Sequence, residues 1–406
     1  MSELPSQILL GRQPILNDKL EIYGYELLFR NSVENSAQID FEDQATARVI
    51  VNSFMEIGID KLVGNKMAFI NFPRNLLLSE DIRILPSKQT VIEILENIEP
   101  EHQVLAAIHA LAERGFTIAM DDFEYAKKFD PLLRLSSIVK VDIMALGLTR
   151  AIEQIEKLAP FKVKMLAEKV ESHEEYVQCK AAGFNYFQGY FFSKPEIVAS
   201  NKLPQNRLLL MQLISRLYDP DITFPQLEEL ISQNVSLSFR LLKITNSAAN
   251  GISRKIDSIK QAVSYIGLAK IRNWTSFLLF SGVEDKPQEL FKNSLIRAQM
   301  CKLLATRIGL KDLDACFTIG LFSTLDALMN QPLSSLIEPL PLSAETKAAI
   351  LEHKGTPGEI LSCVIACERC DWDKIALHSV NSGDIKIAFV EAIAWAGQLI
   401  QQIYEK

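Results

Sequence analysis

The sequence predicts an α/β fold joined to an all-α one: a modified (β/α)8, TIM-like barrel over residues 1–200 and a helical domain over residues 201–406. Three observations carry this reading. Between residue 20 and about residue 195, short β-rich runs alternate with longer stretches of helical spacing, as in a parallel sheet with helices outside. Each β-rich run carries a polar residue in apolar surroundings. From about Asn206 onward the pattern is helical nearly throughout.

The β-rich runs, in order, are Glu21–Phe29, Met67–Phe72, Val91–Leu95, Phe116–Phe123, Ile138–Ile143, Val163–Val170 and Tyr186–Phe192. Helices are expected between them. Asp43–Leu62 carries Ala47, Ile50, Val51, Phe54, Met55 and Ile57 on one broad face. Glu101–Arg114 stops at Gly115, and His173–Ala182 stops at Gly183, glycine being a common helix terminator. Ala151–Leu158 follows the same spacing. Seven strands plus one short or missed strand suit a barrel. A doubly wound open sheet is the runner-up, but no Gly-x-Gly-x-x-Gly follows a strand, which argues against a dinucleotide-binding version.

In such a barrel the chemistry lies at the C-terminal ends of the strands. The polar residues on the runs are Glu26, Asn71, Glu93, Asp121 with Asp122, Lys140 with Asp142, Glu168 and Gln188. An isolated Asp-Asp pair is ordinarily a solvated loop or a helix cap. Here the other strands supply companions. Buried singly, each polar group would cost several kcal/mol; gathered on one axis they satisfy one another and a metal ion. Carboxylates with an amide oxygen are hard ligands suited to Mg²⁺ or Mn²⁺ rather than Zn²⁺. Two divalent ions bridged by Asp121 suit hydrolysis of a phosphate ester by an activated water. Lys140 is placed to orient that water or to stabilise developing negative charge. Glu168 is placed to act as a base or to hold a metal-bound water.

Composition narrows the alternatives. The chain has 406 residues, enough for two or three domains, with a formal net charge of −7 that gives no reason to expect broad nucleic-acid binding. The start, Met1-Ser2-Glu3-Leu4-Pro5, lacks the basic and apolar segments of a signal peptide, and no long uncharged apolar run suggests a membrane span. A cytoplasmic location is therefore expected. The six cysteines, Cys179, Cys301, Cys316, Cys363, Cys367 and Cys370, then read as reduced thiols.

The order of several short motifs resembles the EAL-domain family of cyclic di-GMP phosphodiesterases over about residues 8–200. Gln13-Pro14-Ile15 resembles the family's opening Gln-Pro-Ile. Glu26-Leu27-Leu28-Phe29-Arg30 stands at the Glu-Ala-Leu signature and its downstream Arg. Glu93-Ile94-Leu95-Glu96, Asp121-Asp122-Phe123, Val139-Lys140-Val141-Asp142 and Ala167-Glu168-Lys169-Val170-Glu171 resemble the family's Glu-x-x-Glu, Asp-Asp-Phe, Ile-Lys-Ile-Asp and Ala-Glu-Gly-Val-Glu. Gln188-Gly189-Tyr190 and the following Pro195 match its ending. The resemblance implies that Glu26, Asn71, Glu93 and Asp121 ligate one metal, and that Asp121 and Asp122 serve a second. It implies that Lys140 and Glu168 handle the nucleophilic water. Gln188 would support the metal–water network, and Gln13, Arg30, Asp142 and Gln188 would contact the ligand. The chain also departs from the pattern. Glu124-Tyr125-Ala126-Lys127-Lys128-Phe129 stands where the family has Gly-Thr-Gly-Tyr-Ser-Ser, the distance to Lys140 is about two residues short, and Lys169 replaces the glycine after Glu168.

In the second half the expected helices are Arg207–Leu217, Pro225–Gln233, Ser238–Ser247, Ile259–Ile266, Leu268–Phe280, Gln288–Ile308, Leu313–Asn330, Ala344–His353, Gly358–Asp371 and Ile385–Tyr404, after a linker between Ser193 and Arg207. The stretch from Ser236 to Ala248, then Ile256–Val263 and Ile266-Gly267-Leu268, is similar to the HDOD module, which is related to HD phosphohydrolases but lacks their metal ligands. Asn293-Ser294 and Ser323-Thr324 stand where that related fold's His and His-Asp would fall. No hydrolase site is expected there; a module that recruits an unidentified signalling protein is. Cys363-x-x-x-Cys367-x-x-Cys370 has the spacing of a radical SAM cluster motif, but on a helix these positions share a face with Ile360 and Val364, as buried thiols do. The basic residues between Arg254 and Arg272 read as a solvated surface, and nucleic acid as a partner is not expected.

Two functions follow. One is a metal-dependent phosphodiesterase that hydrolyses cyclic di-GMP to the linear dinucleotide. The other is a catalytically degenerate barrel that acts as a cyclic di-GMP receptor or a scaffold.

Overall fold

A computed structural model describes residues 8–31, 58–79, 82, 85–191, 205–247, 255–283, 286–377 and 380–404. The expected helix Asp43–Leu62 and the linker lie largely outside these residues. Two compact units are present: Met1–Phe191 with Glu368–Trp372, and Phe192–Cys367 with Asp373–Lys406.

The first unit is a closed eight-stranded barrel in sequence order. Its strands are β1 (Ile8–Asn17), β2 (Ile22–Asn31), β3 (Met67–Phe72), β4 (Thr90–Ile94), β5 (Thr117–Met120), β6 (Ile138–Asp142), β7 (Lys164–Glu168) and β8 (Tyr186–Gln188). Six pairings from β2 round to β8 are parallel. The barrel is modified at β1, which runs antiparallel to both β2 and β8. β1 is the eighth strand that the alternation did not show, and it is ten residues long. Arg12-Gln13-Pro14 at its middle hides it, since proline is poor in a strand interior. The structure accommodates Pro14 because β8 pairs only with Ile15–Asn17, which leaves one side of the strand unpaired at that position.

Between strands lie α1 (Ile59–Val63), α2 (Arg74–Leu77), α3 (His102–Glu113), α4 (Asp130–Leu133), α5 (Ile143–Leu146), α6 (Leu148–Leu158) and α7 (His173–Ala182). Helix α7 starts on a capping box, in which the Ser172 hydroxyl accepts from Glu175 N and the Glu175 carboxylate accepts from the Ser172 N–H. Short helix α5 starts on Asp142, whose carboxylate accepts from Met144 N and Ala145 N.

An apolar layer fills the barrel: Ile15, Phe69, Val91, Ala119, Ile138, Leu166 and Tyr186, one from each of seven strands. Its residues are nearly inaccessible, the most exposed being Tyr186 at 6%. This layer is the floor on which the polar residues stand.

The second unit is helical among its described residues: α8 (Gln205–Leu217), α9 (Phe224–Ser232), α10 (Val235–Thr245), α11 (Ile259–Ile266), α12 (Leu268–Phe280), α13 (Gln288–Arg307), α14 (Leu313–Phe322), α15 (Leu325–Met329), α16 (Leu333–Ile337), α17 (Ala344–Glu352), α18 (Gly355–Arg369) and α19 (Ser382–Tyr404). One apolar cluster that includes Trp274, Phe277, Phe322 and Phe389 joins these helices. Gly320 lets α14 lie directly on α13, because a Cβ there would stand 2.7 Å from the Ala298 Cα. The expected helix Leu313–Asn330 is in fact two helices. The Ser323 and Thr324 hydroxyls donate to Gly320 O and Leu321 O, at 2.8 and 2.9 Å, and compete with the backbone ladder between them.

All the cysteines but Cys370 are buried. Cys363 and Cys367 share a face of α18 as expected. Cys370 does not: it lies beyond the helix end in a left-handed conformation (φ 55°). Among the described residues no group of three or more His, Cys, Asp or Glu side chains is arranged as a metal cage.

Candidate active site

Strand alternation builds the site. Side chains of one strand return to the same face every second residue. Two positions beyond the apolar layer, toward the C-terminal ends of the parallel strands, come Asn71, Glu93, Asp121, Lys140, Glu168 and Gln188. β1 runs the opposite way, so its counterpart is Gln13, two positions before Ile15. Glu26 of β2 stands directly across from Gln13 in the register.

The Lys140 ammonium is the centre of this layer. It lies 2.6 Å from Glu93 Oε1, 2.6 Å from Asp121 Oδ1, 3.0 Å from Glu168 Oε1 and 3.4 Å from Glu26 Oε2. Lys140 and Glu93 are wholly buried. An ammonium taken out of water needs such partners. Burial alone would depress its pKa, but Glu168, Glu26, Glu93 and Asp121 outweigh burial and hold it well above the ordinary lysine value.

The carboxylates show the opposite imbalance. Burial pushes Glu93 well above the ordinary carboxylate value; Lys140 opposes this, and Glu26 and Asp121 add to it. Glu168 is raised in the same way, by burial and then, against Lys140, by Asp121 and Glu26. One ammonium therefore does not offset the burial of these carboxyl groups.

Amides complete the ring. Gln188 Nε2 donates to Glu26 Oε2 at 2.6 Å and to Gln13 Oε1 at 2.9 Å, and Asn71 Nδ2 donates to Glu26 Oε1 at 3.2 Å. Four buried oxygens, Asn71 Oδ1, Glu93 Oε2, Glu168 Oε2 and Gln188 Oε1, have no hydrogen-bond partner. Unused buried acceptors are costly. They are also the hard oxygen donors that Mg²⁺ and Mn²⁺ take. By donor type, and by the excess of carboxyl groups over the single ammonium, the residues fit a divalent cation. The carboxylates converge on the Lys140 ammonium.

At the rim stand Asp122 and Asp142. Asp122 has φ 41° and is accessible, yet burial of its surroundings and the adjacent Asp121 raise its pKa. Asp142 goes the other way. Burial opposes its charged form, but the Lys169 ammonium and the N–H groups of Ala145 and Met144 prevail and hold it below the ordinary value. The Lys169–Asp142 ion pair is the feature that sequence reasoning missed; the only signal was a lysine where the family pattern has glycine.

Of the sequence-expected residues, the structure brings together Glu26, Asn71, Glu93, Asp121, Lys140, Glu168, Gln188 and Gln13. Asp122 and Asp142 flank them. Arg30 lies on β2, with its side chain outside the described residues.

The altered segment after Phe123 is firmly held. Phe123 N donates to Lys140 O at 2.9 Å, and its ring packs edge-on against Phe129. Tyr125 N donates to Gln154 Oε1 at 3.0 Å, Glu124 pairs with Arg150 at 2.8 Å, and Lys128 pairs with Glu99 at 2.7 Å. These contacts, rather than glycine turns, seat the loop that follows Asp121-Asp122.

In the helical unit, the two positions expected to have lost their metal ligands meet in the core. Ser294 Oγ and Thr324 Oγ1 share a buried hydrogen bond of 2.8 Å. Arg297 Nη1 donates to Ser323 Oγ at 3.0 Å.

A closed barrel with a buried lysine among acidic and amide oxygens defines a carboxylate-rich site of hydrolase type at the strand ends. Residues 25–195 match the family model of the EAL domain, and residues 203–338 match that of the HDOD domain. The chain is 38% identical, over 95% of its length and 92% of the relative, to the cyclic di-GMP phosphodiesterase CdgJ of Vibrio cholerae. It is 33% identical to the uncharacterized protein YuxH of Bacillus subtilis, over 97% of this chain and 99% of that one. The chain belongs to the family of proteins in which an EAL domain is joined to an HDOD domain. Among solved structures, a standalone EAL protein from Vibrio cholerae O395 in its c-di-GMP bound form is similar over 48% of this chain and 94% of that one, at 25% identity and a TM-score of 0.38.

Proposed function

We propose that this chain is a metal-dependent phosphodiesterase that hydrolyses cyclic di-GMP to the linear dinucleotide, with residues 1–200 as the catalytic domain and residues 201–406 as a helical module that engages a signalling protein. The single observation that carries the reading is the convergence of Glu26, Glu93, Asp121 and Glu168 on Lys140, beside the unused oxygen of Asn71.

In this reading Glu26, Asn71, Glu93 and Asp121 hold a divalent cation, Mg²⁺ or Mn²⁺, and Asp122 stands where a second would bind. A bound divalent cation supplies positive charge to an attacking water and to the phosphate oxygens. The other steps belong to the chain. Glu168 is the base: one carboxylate oxygen lies 3.0 Å from the Lys140 ammonium and the other has no hydrogen-bond partner, which leaves it placed to take a proton from water once the carboxyl is ionised. The Lys140 ammonium stays charged and offsets the negative charge that grows on the phosphate. Gln188 fixes Glu26 and Gln13, and Gln13 and Arg30 contact the dinucleotide. The apolar floor keeps bulk water away from the groups above it.

Incubation of the purified chain with cyclic di-GMP and Mg²⁺ or Mn²⁺, followed by chromatography, tests the proposal. The linear dinucleotide is the expected product. Binding without product would favour the receptor reading instead.

A further inference from the structure

The six carboxylates of the site divide by the lysine they face. Glu26, Glu93, Asp121 and Glu168 face Lys140. Asp142 faces Lys169, and Asp122 at the same rim lies within the field of that ammonium.

Lys169 is placed with some force. It follows Glu168 at φ 55°, a left-handed conformation that side chains other than glycine seldom adopt. Its neighbour Val170 is locked: Val170 N donates to Gln188 O at 3.0 Å, and its own carbonyl accepts from Phe191 N at 3.2 Å. The backbone thus aims the side chain back over the rim, onto Asp142 Oδ2. Asp142 Oδ1 is already taken by Met144 N and Ala145 N at 2.8 and 2.9 Å. Both oxygens of Asp142 are committed, and its side chain is only 9% exposed.

With every carboxylate ionised, as cation binding requires, formal charge separates the two groups. Four carboxylates against one ammonium leave three formal negative charges, more than one divalent cation neutralises. Two carboxylates against one ammonium leave a single negative charge, which a divalent cation would overturn to net positive.

We propose that Lys169 takes the place of a second divalent cation at the Asp122–Asp142 rim, so that the site holds one divalent cation tightly, in the group of Glu26, Asn71, Glu93 and Asp121. This rests on the metal-dependent reading given above. It makes Lys169 a residue that sets metal stoichiometry, acting by like-charge repulsion and by occupying Asp142.

The test counts metal directly. The full-length chain, stripped with a chelator, is titrated with Mn²⁺ while free Mn²⁺ is read by electron paramagnetic resonance. Lys169→Gly suits the local backbone, Lys169→Met keeps the side chain without its charge, and Lys164→Met removes an exposed charge from β7, the strand that Lys169 follows, as a control. Wild type and Lys164→Met are expected to bind one Mn²⁺ tightly. Both Lys169 variants are expected to bind a second, at least about tenfold more tightly than wild type does. Two tight ions in wild type, Lys169 variants that titrate like wild type, or no Mn²⁺ bound by any of them would each overturn the proposal. Failure to hydrolyse cyclic di-GMP with the metal counts as expected would sink the phosphodiesterase reading and leave this one standing.

Discussion

Lys140 on β6 reaches Glu93 on β4 at 2.6 Å, across the strand that separates them. Neither side chain touches solvent. The pair is held by the barrel as a whole rather than by a local turn, and it sets what happens when either partner is changed.

Replacement of Lys140 by Met leaves four carboxylates facing one another. Loss of one partner from a buried ionic group costs about 3–5 kcal/mol. A clear fall in melting temperature in chelator at pH 8 is expected, together with loss of hydrolysis. An unchanged melting temperature would show that the ammonium does not hold the group together.

Glu168→Gln keeps shape and removes the proposed base. Hydrolysis is expected to fall at least about 100-fold with the fold intact by circular dichroism. Turnover within a few-fold of wild type would remove Glu168 from the role of base.

Metal binding should release protons. Glu93 and Glu168 are raised above the ordinary carboxylate value by burial, so in the folded chain they hold protons that the unfolded chain has already lost. The folded state then binds more protons, and its stability falls as pH rises above the ordinary value of 4.5. Lys140, raised above its own ordinary value, contributes stability that is lost only at far higher pH. A divalent cation reverses the carboxylate effect by displacing those protons. Calorimetric titration with Mn²⁺ in buffers of different ionisation enthalpy is expected to show proton release, and an enthalpy independent of buffer would contradict it.

Gly189 is expected to tolerate no side chain. An added Cβ would stand 2.0 Å from Val170 O, and the residue has φ 150°. Gly189→Ala should destabilise the barrel by more than about 1 kcal/mol, read by urea unfolding, and should displace Gln188. Wild-type stability would mean that the β7–β8 rim yields freely.

The helical unit should do no hydrolysis of its own. Ser294 and Thr324 meet where metal ligands would be needed. The full-length Glu168→Gln variant is expected to leave p-nitrophenyl phosphate untouched with Mg²⁺, Mn²⁺ or Ni²⁺; turnover there would reveal a second centre.

Much of the site was legible because strands put chemistry at every second position. Val91 to Glu93, Ile138 to Lys140 and Leu166 to Glu168 repeat one step, apolar floor to polar rim, and each polar intruder stood out against its neighbours. β3 and α7 begin and end where their patterns predict. β1 was hidden because Pro14 and Arg12 break a strand pattern, and its antiparallel direction has no local signature. The split at Ser323-Thr324 came from hydroxyls that bond backward to the helix, which apolar spacing does not register. Lys169 showed only as an odd residue, since its meaning depends on Asp142, 27 residues earlier.

The hydrogen bond between Gln188 and Glu26 spans 162 residues of chain. Until β8 exists, β1 has no second neighbour and Glu26 lacks one of its two amide partners. During synthesis, therefore, every acidic residue of the site is made before the strand that closes the ring around it. A ribosome-bound chain stopped short of Gln188 carries the acidic residues without the closed ring that brings them together.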